Sequence, residues 1–133
     1  MRQLRYGALV VLMGLFMPAL SGLANGPEIK PELDDILKTS KTNVFIKPAS
    51  PAKGDDVNIY VEISNEGNPV HDAWVELLIV KVGGKGLGDL VKGIEKKKGL
   101  YVGPYKFDKA GTYDIEVSGN YILLRKYQVT VKN

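Results

Sequence analysis

Phe107-Asp108-Lys109-Ala110-Gly111-Thr112-Tyr113-Asp114-Ile115-Glu116-Val117 reads as a turn that runs directly into an alternating strand. Tyr113, Ile115 and Val117 share one parity and Asp114 and Glu116 the other, so one face of this strand is suited to burial. Asp108, Gly111 and Tyr113 stand near the spacing of a tyrosine corner, in which a tyrosine entering a late strand turns its hydroxyl back onto backbone just upstream. That arrangement belongs to two-layer antiparallel sandwiches.

The same alternation recurs at regular intervals along the chain. Asn43–Lys47 is a short first strand, closed by the stiff turn Pro48-Ala49-Ser50-Pro51-Ala52-Lys53-Gly54. In Asp56–Ser64 the residues Val57, Ile59, Val61 and Ile63 point one way and polar residues point the other. Asn65-Glu66-Gly67-Asn68-Pro69 supplies turn chemistry, with Gly67 and Asn68 tolerant of positive φ. Asp72–Lys81 is apolar on both parities and reads as a central strand, with Trp74, the only tryptophan, expected in the core. Residues 82–98 leave two alternatives open: a glycine-rich loop through Gly88, then either a ragged edge strand or a short helix from Asp89 to Lys96. The strand pattern resumes at Gly99–Phe107, where Pro104 marks an edge or a bulge. After Thr112–Ser118, a turn is expected at Gly119-Asn120, and Tyr121–Lys132 closes the set. The expected fold is therefore all-β: an immunoglobulin-like antiparallel sandwich of about seven strands over residues 43–133.

The N-terminus bounds the compartment. Arg2 and Arg5, an apolar run from Ala8 to Leu20, and small residues at Gly22 and Ala24 form an export signal over residues 1–24. The run falls short of the ~20 residues that span a bilayer, which favours cleavage before Asn25; an uncleaved anchor is the alternative. Residues 25–42 are charged and proline-punctuated, with Leu33, Ile36 and Leu37 at helical spacing. They read as a flexible linker with a possible short helix. The chain has no cysteine, which excludes a lipoprotein anchor and disulfides. Beyond the signal there are 16 Lys and Arg against 15 Asp and Glu, a formal +1, so charge gives no reason to expect nucleic acid as a partner.

Lys53-Gly54-Asp55-Asp56-Val57, Gly67-Asn68-Pro69-Val70-His71-Asp72-Ala73-Trp74-Val75, Gly99-Leu100-Tyr101 and Ala110-Gly111-Thr112-Tyr113 together resemble the YtkA-like and FixH-like domain family over roughly Asn43 to Val131. The resemblance implies a small exported or membrane-anchored immunoglobulin-like sandwich, with metal handling or respiratory-oxidase assembly as accessory roles. Some members of the family that it resembles carry methionines in the loop after the Pro-Val strand, in a pattern that implies copper handling. Here the three methionines, Met1, Met13 and Met17, all lie in the signal, so soft ligands for Cu(I) are missing from the rest of the chain.

No residue set in the chain demands an enzyme or a cofactor. His71 is the only histidine; with Asp72 it forms a weak metal candidate, because neighbours in a strand face opposite ways and metal sites use three or four ligands. Neither Ser64 nor Ser118 has a spacing that joins it to His71 in a triad. Gly83-Gly84-Lys85-Gly86-Leu87-Gly88 departs from the phosphate-loop order and reads as a mobile inter-strand loop. Asp55, Asp56 and Glu66 lack the order of a calcium loop. Lys96-Lys97-Lys98 reads as a solvated run guarding an edge strand against pairing. The expected role is a non-catalytic binding or assembly module of the cell envelope. Lys85, Leu87, Lys92, Lys96, Lys97 and Lys98 are its candidate contacts with an envelope protein or polymer.

Overall fold

The computed structural model describes residues 31–133; the expected export signal, its expected cleavage point and the first part of the expected linker lie outside the described residues. A helix, α1 (Pro31–Lys38), precedes β1 (Lys41–Lys47), β2 (Asp56–Asn65), the two-residue β3 (Asn68–Pro69), β4 (Val75–Lys81), β5 (Asp89–Lys97), β6 (Leu100–Lys106), β7 (Gly111–Gly119) and β8 (Ile122–Val131). Every pairing between these strands is antiparallel. The all-β sandwich is as expected, with β3 a short addition to the turn that follows β2. The 82–98 region resolves to a hairpin loop and then a strand, not a helix.

One layer holds β1, β2 and β6, the other β4, β7 and β8, and β5 belongs to both. Asp89 to Gly93 pair with β4, Val75 opposite Gly93; from Ile94 onward the strand pairs with β6, Ile94 opposite Val102. Glycine makes the crossing possible by letting the layers approach closely. A Cβ at Gly93 would lie 2.9 Å from Val75 Cγ1, and one at Gly103 would lie 2.6 Å from Leu77 Cδ1. The crossing also accommodates Pro104. Beyond Val102 β6 has no β5 partner, so part of its length is an edge. On the opposite flank, Arg125 Nη1 donates to the Thr42 carbonyl at 3.1 Å, and Ala52 bridges Lys132.

Period-two patterning builds the core. Val57, Ile59, Val61 and Ile63 of β2 face Val75, Leu77 and Ile79 of β4 and Ile115 and Val117 of β7, all buried. Only one parity of β4 is inward. Trp74, expected in the core, precedes the strand on the other parity and is half-buried. The strand starts three residues later than expected because Asp72 takes a left-handed φ of 67° and turns the chain. Trp74 is held at the outer surface by its backbone N–H, which donates to Asn120 Oδ1 (2.8 Å), and by Lys92 Nζ, 3.8 Å above its ring centroid.

The expected spacer is also part of the domain. Leu37 of α1 is 1% exposed and Leu33 packs against the core. Asn65 Nδ2 donates to the Ile36 carbonyl and to Thr39 Oγ1, both at 2.9 Å, while Asn120 Nδ2 donates to Asp34 Oδ1 at 3.1 Å. Glu32 and Asp34 in the first turn and Lys38 in the last complement the helix dipole.

Tyr113 Oη donates to the Lys109 carbonyl at 2.7 Å, and its ring centroid lies 4.7 Å from that of Phe107. Tyr113→Phe is expected to cost about 1 kcal/mol, read as a lower midpoint in urea with an unchanged slope. The β7–β8 turn falls one residue later than expected: Asn120 (φ 49°) and Tyr121 (φ 67°) are both left-handed, as a two-residue hairpin with the right twist requires. Tyr121 is two-thirds exposed, so little packing offsets its backbone strain. Tyr121→Gly is expected to raise stability by about 0.5–1 kcal/mol in the same assay, because glycine adopts this conformation freely.

Candidate functional site

Three chemistry-bearing side chains meet where the segment between β3 and β4 passes the end of β5. His71 Nδ1 lies 2.9 Å from Glu95 Oε2, and His71 Nε2 lies 3.3 Å from Asp72 Oδ1. The positive φ at Asp72 explains why two successive residues share one site: the chain here is a turn, not a pleated strand. Glu95 arrives from β5 just before the register shift between Glu95 and Lys97, an irregularity of the kind that re-aims a side chain at a strand end.

Backbone holds Glu95 in place. Its Oε1 accepts the Asp72 N–H at 3.2 Å, and its Oε2 accepts the Gly99 N–H at 3.1 Å. Partial burial raises the carboxyl's pKa, but the hydrogen bonds from His71, Gly99 and Asp72 outweigh it and the net shift is downward from 4.5. A carboxyl whose pKa is depressed on folding contributes stability above its unfolded pKa, and loses it as pH falls through the folded value. The stability gap between the native chain and Glu95→Gln is therefore expected to shrink on acidification below about pH 4.5, measured by urea unfolding at several pH values.

Beneath the corner Tyr101 is 1% exposed. Its hydroxyl donates to the Val70 carbonyl at 2.7 Å and accepts the Ala73 N–H at 3.0 Å, fixing the segment that carries His71 and Asp72 from both sides. Burial pushes the Tyr101 hydroxyl's pKa far upward, so it remains a neutral donor.

A second feature lies at the other end of β5. Lys85 and Leu87 occupy the loop between β4 and β5, and Leu87 is 92% exposed. Leu90 follows on β5 at 64% exposure, opposite Leu78 of β4. Below the loop a depression of about 290 Å³ is lined by Lys81, Lys85, Asp89, Tyr105, Lys109 and Tyr113, among others, and the Tyr105 hydroxyl donates to Asp89.

The expected contact residues do not form one surface. Lys85 and Leu87 mark the loop, Lys92 covers Trp74, and Lys96, Lys97 and Lys98 lie exposed at the far end of β5. There the strand pairs only with β6, so the lysines flank an edge of that layer. Glu95 is the member of the corner that sequence reading missed. It is 24 residues from His71, and no spacing links them; the pairing arises from β5 returning beside the segment after β3.

Comparison with known proteins agrees with this architecture. No curated protein matches the chain. Among solved structures it is similar to the Pseudomonas fluorescens alkylpurine DNA glycosylase AlkC bound to DNA containing an abasic site analog, with a TM-score of 0.53 and 14% identity. That alignment covers 71% of this chain and 31% of the glycosylase, so the likeness is one of fold. A family model described as YtkA-like matches residues 38–118, a stretch that includes His71, Asp72, Glu95, Tyr101 and the tyrosine corner. Since the match takes in more than half of its length, the chain belongs to the YtkA-like family.

Proposed function

We propose that this chain is an exported, non-catalytic accessory module of the cell envelope, and that the β4–β5 hairpin is its contact with a protein partner. The carrying observation is the pair of large apolar side chains at the hairpin, Leu87 and Leu90, held in solvent beside Lys85. Water-exposed leucines on a hairpin, one in its loop and one at the start of β5, favour an apolar recess on another molecule, and Lys85 favours an acidic rim around it. Export rests on the basic, apolar and small-residue order of residues 1–24. A non-catalytic role follows the sequence expectation, in which no spacing joins Ser64 or Ser118 to His71 in a triad.

The test places a photo-crosslinking amino acid at position 87 of the full chain in its native envelope. A discrete adduct, diminished when Leu90→Ser or Lys85→Glu is added, is the expected result. No adduct at 87, or an adduct indifferent to both changes, would overturn the reading.

A further inference from the structure

We infer that His71, Asp72 and Glu95 form a binding site for one borderline divalent cation of the zinc class. One ligand atom from each residue lies within 4.8 Å of the others, giving one nitrogen and two oxygens. Zinc bonds of about 2.0–2.2 Å to such atoms need only a modest inward movement. The residues differ in freedom in the way this requires. Glu95 is fixed by the Asp72 and Gly99 N–H groups, whereas the His71 and Asp72 side chains are 50% and 60% exposed and can swing toward it. Backbone donors that orient a ligating carboxylate are the outer layer a metal site uses.

The polar arrangement itself favours an ion. Both ring nitrogens of His71 face carboxylate oxygens, at 2.9 and 3.3 Å. A neutral imidazole has one N–H, so it satisfies one of these contacts and turns a lone pair on the other. Turning the half-exposed ring so that its lone pair, Asp72 and Glu95 converge on one cation removes the conflict and neutralises both carboxylates together. Ligand chemistry selects the ion. One imidazole with two carboxylates is too poor in oxygen for calcium, which takes six to eight, and the corner offers no sulfur for Cu(I). Zinc accepts this set and leaves a position for water or for a donor from another molecule. The site is independent of the hairpin contact, since the two lie at opposite ends of β5 and neither needs the other.

Because His71 is the only histidine, ligation can be read without assignment ambiguity. The full chain, purified without a tag in mild detergent, would be titrated with Zn²⁺ by calorimetry and by nitrogen NMR of the imidazole. The expected result is saturable binding of one ion per chain, with a shift of one His71 ring nitrogen. Binding should weaken by about tenfold or more in His71→Gln and in Asp72→Asn. Asparagine is at home at a positive φ, so Asp72→Asn preserves the turn. Three results would overturn the proposal: no saturable binding by the native chain, binding with an unmoved imidazole, or Ca²⁺ bound as tightly as Zn²⁺. The native-chain spectra decide the matter even where a variant fails to fold.

Discussion

Leu37→Ala is expected to lower the stability of the domain by about 3 kcal/mol, within the range for emptying a buried leucine site. Leu37 is 1% exposed, and its methyl groups lie close to Gly119, where a built Cβ would be 3.3 Å from Leu37 Cδ2. The β7–β8 end of the sandwich and α1 therefore share one core. A flexible spacer would respond differently, because substitutions on an unpacked segment usually change stability by less than about 0.5 kcal/mol. Urea unfolding of the native and Leu37→Ala chains distinguishes the two: a large fall in the midpoint supports a docked helix, and an unchanged midpoint supports a spacer.

Tyr101→Phe is expected to cost about 2–4 kcal/mol, more than the tyrosine-corner change. One oxygen is removed, but two backbone groups lose their partner, the Val70 carbonyl and the Ala73 N–H. The carbonyl suffers more, because Val70 is 4% exposed and water cannot easily replace the hydroxyl. The damage reaches the carboxylate–histidine corner, since Tyr101 anchors the residues on either side of His71 and Asp72. Unfolding measurements give the energy, and the His71 imidazole signal should broaden or move in the variant. An unchanged midpoint would mean that the hydroxyl adds nothing to the fold.

Tyr113 was legible in the sequence because its corner is local: donor and acceptor are four residues apart, and the turn residues between them are visible. The inward row of β2 was legible for a similar reason, since strict alternation with polar neighbours admits one reading. Trp74 was not. Asp72–Lys81 is apolar on both parities, so periodicity could not show which side faced inward, and the left-handed residue that delays the strand leaves no clear mark when it is an aspartate. Leu33, Ile36 and Leu37 showed a helical stripe, yet a stripe does not say what covers it. That answer lies at Gly119 and Asn120, more than eighty residues away. Glu95 was hidden for the same reason. Its role comes from the return of β5, and an isolated glutamate before a lysine run reads as part of the solvated surface.

The strand common to both layers also makes the two flanks of the sandwich unequal. Along β5 the layers are joined as the boards of a book are joined by its spine, because one continuous backbone supplies hydrogen bonds to each. Along the other flank no ladder joins the layers among the described residues: Arg125 of β8 reaches Thr42 of β1, and short backbone contacts of Pro51, Ala52 and Lys53 with Lys132 clasp the segments that follow those strands. A clasp of this kind opens locally at far lower cost than a spine, which can part only when the ladders of both layers part with it. Thermal opening should therefore begin between β1 and β8. The carboxylate–histidine corner and the exposed hairpin, seated at the two ends of the spine, keep their geometry while the far side breathes.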